Sequence, residues 1–291
     1  MNSIDLKKDV KIVATSTSCL DYYNDTDTSI DLIRIKIHIN DKTYIDGETI
    51  TAPEFYDMFK KNNNLVIKTS QPSLGELVLY FENLSKQGYK KVFVATISDK
   101  LSGTYNIVVQ AQKQVSKIIE VIPYNTNTVC FSEGYFSLQA QRYFSQNLSV
   151  QEVVQKLDFL KKNNTIFFIV NSLTQLINNG RLSKKKGFIG RFLRIKPILQ
   201  VNDQGKIVLI DKKITIEKAF RSMISKIKDY VKDQKFLIHL YTTGNPDLKS
   251  RFKILLQKEF NLDDILEIPS TPAIGAHVGN NVLGVGVIIL K

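Results

Sequence analysis

The sequence predicts an α/β fold in which an N-terminal domain with a doubly wound, mostly parallel sheet is followed by a C-terminal α+β domain. In the first half, short apolar runs alternate with helical patterns, as in the buried run 92–97 and the helix that begins near Asn106. The second half instead carries a β-hairpin pattern, with two apolar runs flanking residues 202–205. We place the boundary so that the domains are residues 1–163 and 164–291.

The N-terminal half begins with a short strand at 11–14 and a hydroxyl-rich turn at 15–18. Residues 31–40 alternate isoleucine and leucine with polar residues, which predicts one strand with a solvent-exposed side. Thr51 and Glu54 form a capping box at the start of a helix. We predict a second hydroxyl-rich turn at 69–73, and the other predicted elements are helices at 74–87, around 135–144 and at 150–162.

The C-terminal half contains the hairpin together with alternating strands and helices, which favours an α+β arrangement. The predicted strands are 165–170, 196–201, 206–210, 236–241 and 285–290, and the predicted helices are 172–178, 216–229 and 247–259.

The segment 101–105, with the sequence Leu-Ser-Gly-Thr-Tyr, is the most informative part of the chain for function. It lies between a predicted buried strand and a predicted helix, so the hydroxyls of Ser102 and Thr104 meet unpaired backbone N–H groups at a helix N-terminus. Such a place can hold a phosphate or a carboxylate. A plain helix cap explains the same residues, so this segment alone leaves both interpretations open.

Composition and charge limit the classes of protein to which this chain can belong. The chain has 291 residues and a net charge of +12, but its lysines are spread along the sequence without the aromatic-interleaved arrays of RNA-binding modules. We therefore expect no nucleic-acid partner. Cys19 and Cys130 form no CxxC pair, which favours a reducing compartment and argues against a structural metal site. With no apolar leader and no long apolar run, we expect a cytoplasmic protein.

Seven short motifs, taken in order, resemble the DegV family of bacterial lipid-binding proteins. They are Lys11-Ile12-Val13 with Ser16-Thr17, Tyr44-Ile45-Asp46-Gly47, Thr69-Ser70-Gln71-Pro72-Ser73, Leu101 to Tyr105, Asn179-Gly180-Arg181-Leu182, Ile195-Lys196-Pro197-Ile198-Leu199 and Gly275-Ala276-His277-Val278-Gly279. Each motif is weak by itself, but their order and spacing cover nearly the whole chain.

The resemblance implies a carrier that encloses one long-chain fatty acid between its two domains. It also implies a partner, a separate kinase similar to dihydroxyacetone kinases, which phosphorylates the bound carboxylate to an acyl phosphate. The chain itself would then be no enzyme and would need no cofactor or metal. We expect a monomer that makes transient contact with a membrane surface.

For such a carrier we predict three groups of site residues in this sequence. For each apolar residue among them ordinary core packing is the alternative, and for Arg181 it is a surface position on a turn. The carboxylate would be bound by hydroxyls, a backbone turn and one imidazole: Thr69, Ser70, Ser102, Gly103, Thr104 and His277. Large apolar side chains would form the acyl tunnel: Phe55, Phe59, Phe93, Phe167, Phe168, Phe188, Ile189 and Leu193. Arg181 is the residue that we expect to face the kinase.

The sequence departs from the family pattern at three positions. Thr15 stands where the first turn usually carries Asp, and Arg194 stands where the run before residue 195 often ends in Asn. Ile214 takes the place of an Arg after the hairpin. If that Arg docks the kinase, then either this chain does not dock it or Lys212 or Lys213 substitutes.

Two other classes of function fit parts of the sequence. A hydrolase would use Ser102 as nucleophile and His277 as base, but the chain lacks a G-x-S-x-G elbow and an obvious acid to orient His277. A phosphate-binding protein would use the 102–104 turn, but neither a Walker A loop nor a G-x-G-x-x-G motif is present.

Overall fold

The computed structural model describes residues 9–23, 29–62, 65–183 and 195–290. The strands are β1 (Val10–Thr15), β2 (Asp31–Ile33), β3 (Lys36–Ile39), β4 (Lys42–Ile45), β5 (Ile67–Ser70), β6 (Lys91–Thr96), β7 (Glu120–Asn125), β8 (Asn164–Ile169), β9 (Lys196–Val201), β10 (Ile207–Lys213), β11 (Phe236–Thr242), β12 (Leu266–Pro269) and β13 (Leu283–Ile289). The helices are α1 (Ala52–Lys61), α2 (Leu74–Lys86), α3 (Thr104–Val115), α4 (Phe131–Ser145), α5 (Val150–Lys162), α6 (Thr174–Asn178), α7 (Ile216–Val231), α8 (Pro246–Phe260) and α9 (Pro272–Val278).

The N-terminal half is built on a parallel sheet with strand order β2-β1-β6-β7. Helices α2 and α3 cover one face, where Phe81 and Val108 pack against Val13 and Val94. Helices α4 and α5 cover the other face and pack on Phe93. Apolar side chains on both faces explain why these strands are continuous apolar runs in the sequence. The predicted doubly wound arrangement is confirmed.

The C-terminal half is built on a six-stranded mixed sheet with strand order β10-β9-β8-β13-β11-β12. Successive residues of β8 alternate between its two faces, so Phe167 and Ile169 pack under α7 and α8. Ile166 and Phe168 face the opposite way, toward Ile97 of the N-terminal half. The apolar layer between the two halves is therefore shared by both. The boundary at residue 163 stays a prediction.

A small antiparallel sheet with strand order β4-β3-β5 completes the N-terminal half. Its apolar face packs on α1 and on α9, a helix that comes from the C-terminal half. The capping box at Thr51 and Glu54 is present at the start of α1, as predicted.

Two local predictions are wrong. The alternating run 31–40 is not one strand, because β2 belongs to the parallel sheet and β3 to the small antiparallel sheet. The chain crosses between them at Arg34 and Ile35, where the Ile35 N–H donates to the Ser16 hydroxyl instead of to a strand. Thr69 and Ser70, predicted to lie in a turn, end strand β5, and α2 begins after the N-cap Ser73.

Candidate functional site

A polar opening forms where β5, the β6–α3 connection and α9 approach one another. Thr69 and Ser70 end β5, Ser102 and Gly103 precede α3, and His277 lies on α9. We call this opening the polar mouth, and it is lined by Thr17, Ile35, Thr69, Ser70, Gln71, Ile97, Leu101, Ser102, Gly103, Arg181, Ala273, Ile274 and His277. Five of the six residues predicted to bind a carboxylate thus meet at one place, although they come from three parts of the chain.

His277 and Thr69 form a hydrogen-bonded pair, with 2.8 Å between the imidazole Nε2 and the hydroxyl oxygen. Burial, with a further contribution from the charge of Arg181, lowers the pKa of His277 to about 4. The imidazole is therefore neutral at neutral pH. Its buried Nδ1 has no hydrogen-bond partner among the described protein groups.

Ser102 is oriented by Thr104, because the two hydroxyl oxygens lie 2.8 Å apart and the Thr104 N–H donates to the Ser102 oxygen at 3.3 Å. Thr104 itself is buried and lies behind the mouth, so it positions Ser102. Gly103 contacts the side chain of Gln71 so closely that a Cβ at this position would overlap the Gln71 amide. The absence of a side chain at residue 103 therefore leaves room for the Gln71 amide beside the 102–104 turn.

Arg181 follows α6 and lines the inner part of the polar mouth. Its Nε donates to the Leu101 carbonyl at 3.0 Å and its Nη1 donates to the Asn179 carbonyl at 2.5 Å. No carboxylate pairs with this guanidinium among the described residues. A half-buried cation without an acidic partner favours an anion in the mouth.

An almost wholly apolar cavity adjoins the mouth and extends into the layer between the two halves, with a volume of about 80 Å³. Pockets that hold small-molecule ligands measure roughly 300–1,000 Å³, so a long apolar ligand requires the side chains around this cavity to move apart. The apolar cavity is lined by Ile97, Leu101, Val129, Cys130, Ile166, Phe168, Leu176, Arg181, Val201, Ile207, Tyr241, Ser270, Ile274, His277, Val278, Val282 and Gly284. Both the mouth and the cavity are bordered by Ile97, Leu101, Arg181, Ile274 and His277.

The aromatic residues proposed for an acyl tunnel are spread over several cores. Phe168 lines the apolar cavity. Its neighbour Phe167 faces the other side of β8 and packs under α7. Phe93 faces α4 and α5, while Phe55 and Phe59 pack between the small sheet and α9. Phe188, Ile189 and Leu193, like Arg194, lie outside the described residues.

Helix α9 carries His277 and is held in place at two points. At its start, buried Asp46 accepts a hydrogen bond from the Ala273 N–H at 3.4 Å and another from the Ser16 hydroxyl at 2.7 Å. Gly275 lies against Phe55 and Tyr56, where a Cβ would come within 2.6 Å of the Tyr56 hydroxyl oxygen. The glycine lets α9 approach α1, and this approach brings His277 to Thr69.

Sequence reasoning missed a buried polar cluster behind the mouth. Glu133 of α4 contacts the hydroxyls of Thr15 and Thr17, and Thr17 lines the mouth. Burial raises the pKa of Glu133 to about 8, although hydrogen bonds from both threonines oppose that rise. Thr15 stands where the family pattern has Asp, so here α4 supplies the carboxyl group of this region. The hydroxyl-rich turn at 15–18 was visible in the sequence, but its distant partner was not.

The positions of Ser102 and His277 do not support the hydrolase hypothesis. His277 pairs with Thr69 and Ser102 pairs with Thr104, and no carboxylate orients the imidazole within the part of the chain that the structure describes. In those same residues, no cluster of three or more His, Cys, Asp or Glu side chains is arranged to hold a metal. No helix there is long and apolar enough to cross a bilayer.

Comparison with known proteins gives one consistent result. The model of the DegV family matches residues 9–290. The DegV domain-containing protein SA1258 of Staphylococcus aureus is 30% identical over 281 residues, which cover 96% of this chain and 98% of that protein. A DegV domain-containing protein of Listeria monocytogenes, lmo2514, is 30% identical over 285 residues, with 96% and 98% covered.

Solved structures of similar proteins lead to the same result as the related sequences. The fatty acid binding DegV family protein SAG1342 of Streptococcus agalactiae superimposes with a TM-score of 0.87 at 25% identity, covering 97% of this chain and 99% of that one. DegV of Bacillus subtilis, described as a fatty acid binding protein, gives 0.85 at 26%, with 97% and 100% covered. A stearic acid-binding protein of Eubacterium ventriosum gives 0.85 at 25%, with 96% and 98% covered. This chain belongs to the DegV family.

Proposed function

We propose that this chain binds one long-chain fatty acid, with its carboxylate in the polar mouth and its acyl chain in the apolar cavity. The observation that carries the proposal is that the two spaces adjoin each other, because both are lined by Arg181 and His277. A ligand with an anionic head and an apolar tail matches a polar opening that leads into an apolar interior. The similar solved proteins described as binding fatty acids support the same assignment.

The head group would be held mainly by neutral donors. The hydroxyls of Thr69 and Ser102 each carry one hydrogen, and the free Nδ1 of His277 offers another when Nε2 accepts from Thr69. Ser70 and Gly103 border the same space. Neutral donors bind a carboxylate less tightly than a bidentate guanidinium, which suits a carrier that must release its cargo.

The tail would supply most of the affinity. Each buried methylene contributes roughly 0.8 kcal/mol, so a chain of about sixteen carbons contributes on the order of 10 kcal/mol before the cost of association. Phe168 and Val282 are among the residues that would contact it.

Mass spectrometry of the purified protein tests the proposal. We expect one fatty acid at near-equal stoichiometry in the native spectrum, and its release on organic extraction. The double variant Thr69→Ala/Ser102→Ala should lose this ligand, whereas Ser116→Ala/Ser145→Ala, which removes two exposed hydroxyls outside the mouth, should keep it. A protein that stays empty after incubation with a panel of fatty acids would refute the assignment.

We further propose that the bound carboxylate is presented to a separate, dihydroxyacetone-kinase-like fatty acid kinase, and that this chain is not itself the catalyst. Arg181 supports this step because its unpaired guanidinium lies at the junction of mouth and cavity, where an acyl phosphate would carry added negative charge. The carrier is proposed to work as a monomer and to touch a membrane surface transiently when it loads.

A coupled assay separates presentation from binding. With ATP and such a kinase, the loaded wild-type protein should yield an acyl phosphate that hydroxylamine traps as the hydroxamate. Arg181→Gln should retain bound lipid and lose most of the hydroxamate, whereas Arg251→Gln, on the far side of the C-terminal sheet, should behave as wild type. Equal yields from Arg181→Gln and wild type would remove Arg181 from this role.

A further inference from the structure

Three oxygen-bearing side chains form a closed ring behind the polar mouth. The hydroxyl oxygens of Thr15 and Thr17 lie 2.6 Å apart, Thr17 lies 2.7 Å from one oxygen of Glu133, and Thr15 contacts the other oxygen of Glu133. Thr15 and Glu133 are 0% exposed and Thr17 is 4% exposed, so solvent supplies no substitute partners. The backbone N–H groups of Thr15 and Ile97 also donate to the Glu133 carboxyl and, like the threonine hydroxyls, oppose the rise in its pKa that burial causes.

The number of hydrogens in this ring depends on Glu133. Each threonine hydroxyl carries one hydrogen, so an ionised Glu133 leaves two hydrogens for three contacts, and one pair of oxygens must then meet without a hydrogen. A protonated Glu133 supplies the third hydrogen. It then donates to one threonine, that threonine donates to the other, and the second threonine donates back to the Glu133 carbonyl oxygen. Each of the three contacts is then a hydrogen bond.

From this geometry we propose that Glu133 is held as a neutral carboxylic acid which completes the ring, and that loss of its proton sets the upper pH limit for binding a carboxylate in the polar mouth. Ionisation would direct both threonine hydroxyls to the carboxylate and leave the contact between Thr15 and Thr17 without a hydrogen. Because Thr17 lines the mouth, this change would lie next to the ligand, and it would place a buried negative charge behind the ligand's own carboxylate. Fatty-acid binding would therefore be linked to one proton on Glu133. The second part of the proposal rests on the proposed function, whereas the first does not.

The pKa values of several other groups near the ring lie outside the range from pH 7 to 9. Burial, followed by contact with Cys130, raises the pKa of the Cys19 thiol well above its ordinary value. On the α9 side, the pKa of His277 is lowered to about 4 by burial, and Arg181 keeps its charge. Asp46, which bonds to Ser16, has a pKa raised by burial to about 6.

Two further groups reach α4 from β11 through Ser132. Burial lowers the pKa of His239 to about 3 and raises the pKa of Tyr241 well above its ordinary value. Glu133, whose pKa is raised by burial to about 8, is thus the group around the ring that titrates in this window.

Fatty-acid affinity measured between pH 6.5 and 9.5 tests the linkage. We expect the wild-type affinity to be constant up to about pH 7.5 and then to fall, approaching tenfold per pH unit. Glu133→Gln should bind at every pH with little change, because the amide can donate to one threonine and accept from the other as the protonated acid does. Glu120→Gln, which removes an exposed carboxyl outside the site, should follow the wild-type curve. If Glu133→Gln also falls like wild type, the linkage is refuted.

Carbon-13 NMR of labelled glutamate carboxyls tests the ring without any ligand. The resonance absent from Glu133→Gln should report a protonated acid at pH 7, and Thr17→Val should move its titration midpoint by removing one member of the ring. A Glu133 carboxyl already ionised at pH 6 would overturn the proposal even if fatty acid binds. Failure of both wild type and Glu133→Gln to bind any fatty acid would refute the proposed function and the linkage, while the NMR result still decides the protonation state.

Discussion

At the scale of residues, the site combines neutral donors with one unpaired cation. His277 is kept neutral by burial and by the charge of Arg181, and its buried Nδ1 has no hydrogen-bond partner among the described protein groups. Thr69 fixes the other ring nitrogen. A carboxylate in the mouth would thus meet donors that are already oriented, so little side-chain ordering opposes binding.

Thr69→Val removes the hydroxyl that pairs with His277 and preserves the shape of a β-branched side chain. We expect fatty-acid affinity to fall about tenfold to a hundredfold, because a lost hydrogen bond that leaves a buried partner unsatisfied costs about 1–3 kcal/mol. Displacement of a fluorescent fatty acid measures this change. Thr215→Val is the matched control, since the Thr215 hydroxyl accepts a hydrogen bond from the Lys218 N–H at 3.3 Å on the exposed surface and lies outside the mouth. Equal losses from both variants would count against a role for Thr69 at the head group.

At the scale of elements, strand β8 separates the ligand space from the structural core. Its residues alternate in direction, so Phe168 lines the apolar cavity while Phe167 packs under α7. These two adjacent phenylalanines therefore have different surroundings, one in the cavity wall and the other in the core.

Substitution of these two phenylalanines should separate specificity from stability. Phe167→Ala should lower the free energy of unfolding by about 3–5 kcal/mol and leave the profile of bound acyl chains unchanged. Phe168→Ala should cost less stability, because the side chain already borders empty space, and should shift the bound lipids toward longer or branched chains. Urea unfolding and mass spectrometry of the extracted lipids check both expectations. An unchanged lipid profile in Phe168→Ala would contradict the cavity assignment.

Helix α9 depends on Asp46, and this dependence has a pH signature. Burial raises the folded-state pKa of Asp46 from 3.8 to about 6, although hydrogen bonds from Ser16 and Ala273 oppose the rise. The folded protein therefore holds this proton more tightly than the unfolded chain does, and the contribution of Asp46 to stability declines as pH rises from about 4 to about 6. The decline is at most about 3 kcal/mol.

Asp46→Asn should lack this decline, so its stability relative to wild type should increase between pH 4 and pH 7. Urea unfolding at the two pH values measures the difference, with Asp57→Asn on the exposed face of α1 as control. If the difference between wild type and Asp46→Asn is the same at both pH values, Asp46 does not titrate as its burial indicates.

At the scale of the whole molecule, local sequence patterns predicted most elements and the chemistry of the mouth. The apolar run of β6 and the capping box at Thr51 act over a few residues, so they are visible in the sequence. The crossing of the chain between two sheets at Arg34 is not visible in the sequence, because a continuous alternating pattern does not show where one strand ends and the next begins in another sheet. The sequence also does not show which of Phe167 and Phe168 lines the cavity. The two residues are adjacent on β8, and only the register of that strand in the sheet decides which face each side chain occupies.

The ring of Thr15, Thr17 and Glu133 behind the mouth could not be predicted from the sequence either, because its members are far apart in the chain. Thr17 and Glu133 are separated by 116 positions, and a glutamate in an ordinary helical pattern gives no sign that it will be buried. Only the packing of α4 on β1 brings the two together. Motif order therefore indicated the region to which we assign the head group, and tertiary packing determines its electrostatics.

The apolar cavity also predicts how the whole molecule responds to its ligand. A fatty acid that binds only the folded chain stabilises it by about 2.7 kcal/mol at a free concentration of 100 times Kd, which corresponds to a rise in Tm of about 5 °C. Calorimetry of the delipidated protein before and after reloading with palmitate measures the shift. Butyrate, which has the carboxylate without the tail, should give no shift at the same concentration, because the tail supplies most of the affinity. Equal shifts from butyrate and palmitate would mean that the carboxylate alone carries binding, and the cavity would then lose its assigned role.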